Sequence, residues 1–240
     1  MVPGFTGSKE DFIALLEPLA AVGLRGVAMD LSGQYESPVT DGEQSSLASF
    51  ARDTWAVAST LPRPLILLGH SFGGLVVSEA VLSDPLAVDG LVLVATGPSA
   101  IPEQQQQVLR HFAEVMNGFG LEPVWQGKRA MDAAAGQPVP PVEIDEFLTR
   151  RFLANDPGSL AAMIHSLCTA EDRTEMVAAV APPTTVVIGA QDDVWPLAEQ
   201  RTMASRLKAT VVELAESGHS PAVDNPEAVV KAIASLQGLG

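Results

Sequence analysis

Short apolar runs, several of them nearly continuous Val, Ile and Leu, recur along this chain, separated by stretches with helical periodicity, and this pattern narrows the possible folds more than any other feature. The runs lie at residues 25–30, 64–70, 88–96, 184–190 and 209–214. A strand with one wet face alternates apolar and polar residues, whereas a strand apolar at almost every position needs cover on both faces. Strands of that kind alternating with helices predict a mostly parallel sheet flanked by helices, an α/β fold. Ser8-Lys9-Glu10-Asp11 resembles a capping box that opens a helix running to about Ala21. Thr40-Asp41-Gly42-Glu43 can open a second, through to about Ser59. A third helix follows Ser71 directly, and a last one runs from about Pro226 to Leu236.

One segment breaks the alternation. Between Pro102 and about Val180 the expected structure is all helix, cut by Gly118, Gly120, Gly136, Pro138, Pro140, Pro141, Pro157 and Gly158. The chain of 240 residues is therefore read as a core in two parts, residues 1–101 and 181–240, with a helical cap or lid at 102–180. A net charge of −15, from 14 basic and 29 acidic residues, repels phosphate backbones and anionic membranes. No apolar run is long enough to span a bilayer and no signal peptide is visible, so the expectation is a cytoplasmic protein. The single Cys168 cannot form an intrachain disulfide and reads as a small apolar residue. No His/Cys cluster suggests a metal, and no cofactor is expected.

Gly69-His70-Ser71-Phe72-Gly73-Gly74 follows one apolar run and precedes a helical one. This is G-x-S-x-G in the strand–turn–helix setting that makes a nucleophile elbow. A strand that reverses sharply into a helix strains its turn residue, and glycines on either side remove side chains that would collide there. Ser71 can then project its hydroxyl above the sheet, at the positive end of the helix that follows. A phosphate loop is excluded, because neither G-x-G-x-x-G nor a Walker Lys is present.

With Pro3-Gly4-Phe5 near the start, this elbow, and an acid before a late histidine, the chain resembles the α/β-hydrolase superfamily from Val2 onward. It lies close to the lidded esterase, haloperoxidase-like and C–C hydrolase branches. The resemblance implies Ser71 as nucleophile, His219 as base and an acid in Gly189-Ala190-Gln191-Asp192-Asp193-Val194-Trp195-Pro196. Two aspartates compete for the last role. The family's spacing selects Asp192, leaving Asp193 as a neighbouring loop carboxylate. His219, in Glu216-Ser217-Gly218-His219-Ser220-Pro221, follows the last strand. His70 reads as a turn residue pointing away from Ser71, and His111 and His165 as polar-face residues of lid helices. The resemblance also implies an oxyanion hole made by the backbone N–H groups of Phe5 and Phe72. Many relatives have His where Pro3 stands. Asp30-Leu31-Ser32-Gly33 opens the loop where the family has a glycine-rich motif. Here Gln34-Tyr35-Glu36-Ser37 replaces its second half, and the loop reads as structural.

Phe112, Met116, Phe119, Trp125, Met131, Phe147, Phe152 and Met163 are spaced for helix packing, and some of them, with Trp195, are expected to line an acyl pocket. The leading reading is a serine hydrolase that cleaves a small-to-medium apolar ester through an acyl-enzyme on Ser71. The same triad serves thioester and C–C bond hydrolysis, and the fold also carries non-catalytic ligand-binding proteins. A haloalkane dehalogenase is excluded, since it needs Asp where Ser71 stands. The resemblance implies two strands and most of a third before the Pro3–Phe5 loop. The first two family strands are therefore expected to be missing, through a late-called start or a fragment. The alternative is a fold whose first strand is a stub near Val2.

Overall fold

The computed structural model describes residues 1–39, 45–136 and 138–236. The helix start expected at Thr40–Glu43 lies outside these. A four-stranded sheet, all parallel and in the order β1-β2-β3-β4, is formed by β1 (Ile66–His70), β2 (Gly90–Val94), β3 (Thr184–Gly189) and β4 (Thr210–Leu214). Side chains alternate between its faces. Leu67, Leu91, Leu93, Val186 and Ile188 join one buried cluster, and Leu68, Val92, Val94 and Val187 join the other. On the second face lie α1 (Ile13–Ala21), the short α10 (Pro221–Asp224) and α11 (Pro226–Ala234). On the first lie α2 (Leu47–Ala58), α3 (Phe72–Ser83) and α9 (Leu197–Arg206). Both faces are covered, which is why β2 and β3 are buried at every position.

Between β2 and β3 the chain forms α4 (Glu103–Phe119), α5 (Leu121–Ala134), α6 (Val142–Leu153), α7 (Pro157–Thr169) and α8 (Thr174–Val180). This all-helical insert is tied to the first part of the chain by an ion pair at 2.5 Å between Arg151 and Asp11. None of the described helices is long and apolar enough to cross a membrane.

The expected strand at 25–30 is a correction. Met1 N donates to Val27 O and Met29 N to Met1 O, at 2.8 and 3.2 Å. Val2 in turn bridges β1 in parallel, with Val2 N to Leu68 O at 2.8 Å and His70 N to Val2 O at 3.0 Å. Val2 thus forms an isolated bridge to β1, and Met1 bonds residues 27–29. Two backbone bonds do not sustain a ladder, and residues 25–30 form no strand. Beyond the bridge, Leu24, Gly26, Leu65 and Leu67 border a cavity of about 590 Å³.

Candidate active site

Every residue singled out in the sequence for chemistry lies at the C-terminal end of the parallel strands or on the loop beside it. That is where open α/β sheets place their clefts, because loops there converge without crossing the sheet. Ser71 follows β1 directly and takes φ 53° and ψ −119°, a conformation side chains normally avoid. Close contact holds it there. A Cβ on Gly69 would lie 2.2 Å from Gly73 O, and one on Gly73 would lie 2.3 Å from Val2 O, so only glycine fits at either place. Ser71 N donates to Val94 O at 2.9 Å, and Thr96 Oγ1 donates to Ser71 O at 2.8 Å. Together these bonds fix the turn from both sides.

His219, on the loop after β4, brings Nε2 to 2.9 Å from Ser71 Oγ and Nδ1 to 2.9 Å from Asp192 Oδ1. The Nδ1–H donates to the carboxylate, which leaves Nε2 free to accept the serine proton. The Asp192 side chain is fully buried. Burial opposes its charge, but hydrogen bonds from His219, Val194 N and Gln200 Nε2 outweigh that penalty and hold the carboxyl below the usual carboxylate range. Asp193 is exposed and its carbonyl accepts from Gln105 on α4. Such a relay can generate a serine nucleophile and return a proton to a leaving group.

Phe72 is the first residue of α3, and its N–H lies among the unpaired donors of a helix start. Phe5 sits in the turn after Gly4, whose Cα lies so close to Ser71 that an added Cβ would be 3.0 Å from Ser71 Cβ. Phe5 and Phe112 rings meet at 5.3 Å, Phe112 and Phe152 at 6.0 Å, and Phe152 and Trp125 at 4.9 Å. An aromatic row therefore runs from the Gly4–Phe5 turn into the insert. A cavity of about 750 Å³ opens on His219 between its loop and helices α5 and α6, with Trp125, Arg129 and Leu148 on its wall. Trp195 is fully buried, 6.4 Å from the His219 ring. Phe119 and Met131, expected to pack, are exposed. His111 and His165 are exposed on α4 and α7, as expected of polar-face residues.

His70 corrects its expected role. It is the last residue of β1, and its Nε2–H donates to the His219 carbonyl at 2.6 Å, so it supports the loop that carries the imidazole. Burial and the neighbouring His219 push its pKa down to about 4, so the ring is neutral near pH 7. Two further residues were not visible as site residues in the sequence. Gln200 on α9 is fully buried and donates to Asp192 Oδ2 and Trp195 O. Gln34 is fully buried and joins Gly4 O to Leu31 N. The only sequence signal for Gln34 was the loop's departure from the glycine-rich pattern. Among the described residues no group of three His, Cys, Asp or Glu could hold a metal ion.

Residues 1–232 match the model of the "Alpha/beta hydrolase family". The chain is 26% identical over 215 residues to a pimeloyl-[acyl-carrier protein] methyl ester esterase of Aeromonas salmonicida, covering 85% of this chain and 82% of that protein. It is 30% identical over 169 residues to a 1-acylglycerol-3-phosphate O-acyltransferase of Arabidopsis thaliana, covering 66% of this chain but 40% of that protein. A thermophilic esterase from Thermogutta terrifontis superposes with a TM-score of 0.80 at 24% identity, covering 99% of this chain and 88% of the other. That likeness concerns the fold.

Proposed function

The chain belongs to the alpha/beta hydrolase family, and from that premise we propose that it hydrolyses a small-to-medium apolar carboxylic ester through an acyl-enzyme on Ser71. The observation that carries this reading is the Ser71–His219–Asp192 relay, with both hydrogen bonds at 2.9 Å. Ser71 Oγ attacks the acyl carbon as His219 Nε2 takes its proton. The alcohol leaves with that proton. Water, deprotonated by the same imidazole, then attacks the acyl-enzyme and releases the acid. Asp192 sets the tautomer and stabilises the imidazolium. The N–H groups of Phe5 and Phe72 hold the oxyanion in each tetrahedral intermediate.

Residues 102–180 act as the lid, with the row Phe112, Phe152 and Trp125 forming the apolar side of the acyl site. Similarity to a methyl ester esterase makes methyl esters of medium acyl chains sensible first substrates. The acyltransferase likeness covers less than half of that relative, so water is the proposed acceptor. Turnover of p-nitrophenyl acetate and butyrate tests the reading. The wild-type chain should hydrolyse both, and Ser71→Ala should reduce kcat by about three orders of magnitude or more. Equal rates in the two proteins would refute it.

A further inference from the structure

We infer that Gln34 is a positioning residue for this ester hydrolysis, its side-chain amide holding the Gly4–Phe5 peptide so that the Phe5 N–H faces the oxyanion. The inference rests on the proposed acyl-enzyme reading and adds a residue to it. A trans peptide is planar, and its C=O and N–H point to opposite sides. Whatever fixes the Gly4 carbonyl therefore also aims the Phe5 amide. Gly4 O accepts Gln34 Nε2–H at 2.8 Å and Gly7 N–H at 3.0 Å. Two donors occupy both lone pairs on the side away from the amide, so a peptide flip would forfeit both bonds and turn an oxygen toward the reacting carbonyl. Gly4 itself abuts Ser71 Cβ, which puts this peptide beside the nucleophile.

The Gln34 amide has one workable orientation. Its Oε1 accepts Leu31 N at 3.0 Å, so exchanging oxygen and nitrogen would set N–H against N–H and oxygen against oxygen. Its Nε2 also rests 3.9 Å from the sulfur of Met163 on α7. The backbone around it is fixed as well. Gln34 N donates to Leu31 O, Ser37 N donates to Gln34 O, and Asp156 N donates to Gly33 O. Gly33 has φ +81°, and a Cβ there would lie 2.2 Å from Ser159 Oγ on α7. The loop thus carries a rigid, fully buried amide from the insert's underside to the turn that supplies one oxyanion donor.

Gln34→Met removes the amide at similar volume. Gln34→Glu keeps an acceptor for Leu31 N–H and loses the amide donor to Gly4. With sites counted by fluorophosphonate titration, both variants should lower kcat about 10- to 100-fold on p-nitrophenyl butyrate, with KM within about threefold. The infrared carbonyl stretch of a slowly hydrolysing acyl-enzyme should move to higher frequency, because a misaimed N–H polarises it less. A merely structural glutamine would lower the melting temperature and leave kcat per titrated site and the stretch unchanged, and that result overturns the inference. If neither variant folds, the ¹⁵N-labelled wild type decides. Phosphonylation of Ser71 should shift the Phe5 amide proton downfield, and an unmoved Phe5 resonance overturns the inference. A wild-type chain without ester turnover and without Ser71 labelling removes the parent reading instead.

Discussion

Glycines that close the strand ends at 97 and 189 and glycines inside α4 and α5 sit in opposite surroundings. A Cβ on Gly189, at the end of β3, would sit 1.9 Å from Gly218 O, and one on Gly97 would sit 2.1 Å from the Trp195 ring. At Gly118 and Gly127, in α4 and α5, a Cβ would meet nothing within 4 Å. Burial follows the same division. All six residues of β3 are buried, while Met116 is the only buried residue among the seventeen of α4. The exposed Val108, Phe119, Met131, Val139, Val142 and Ile144 all belong to the insert. Contact determines the geometry where the proposed chemistry resides. Within the insert, α4 keeps few packing constraints, whereas α7 buries six of its residues.

The largest expected effect lies on the constrained side. Asp192→Asn should lower kcat by about four orders of magnitude, because the amide favours the wrong imidazole tautomer. Asp193→Asn should change it less than about threefold, as expected of an exposed carboxylate. Steady-state rates on one ester check both, and a larger loss at Asp193 would reassign the acid.

Gly189→Ala comes next. It should cost about 3 kcal/mol or more in urea melts, since the new methyl collides with backbone and displaces the loop of His219. Wild-type stability with wild-type turnover would break the comparison between the two regions.

The buried contact of His70 with the His219 loop predicts a pH effect on stability. The unfolded chain binds a proton at His70 near the ordinary value of 6.5, and the folded chain only near 4. Stability is therefore full above pH 6.5 and falls as pH drops from 6.5 toward 4, by at most about 3 kcal/mol. Replacing the ring by His70→Asn should flatten the curve in that window. A parallel curve would show that the ring is not held neutral. The smallest effect belongs to the insert: Gly127→Ala, in an open helix interior, should raise stability by up to about 1 kcal/mol. A loss there would mean that α5 is packed more tightly than its surroundings show.

What could be read in the sequence was what local pattern encodes. The elbow at Ser71 requires glycines at fixed offsets, and β2 and β3 need cover on both faces, so both were legible. Asp192 and His219 stand on loops after strands, where the family's order pointed to them. Gln34, Gln200 and His70 were not legible as site residues, because their roles come from partners far away in the chain: Gly4, Asp192 and the His219 carbonyl. Residues 25–30 follow the alternation of runs and helices but hold one β-branched residue, Val27, and a strand also needs a ladder, whereas this segment makes two backbone bonds to Met1. Phe119 and Met131 have helical spacing, yet spacing does not say which face finds a partner.

The central claim is that Ser71 is the nucleophile that carries the acyl group. Intact-mass and peptide analysis after treatment with a fluorophosphonate tests it most directly. One adduct per folded chain, on the peptide containing Ser71 and absent from Ser71→Ala, is the predicted result. Modification at another serine, or none in a folded sample, contradicts it.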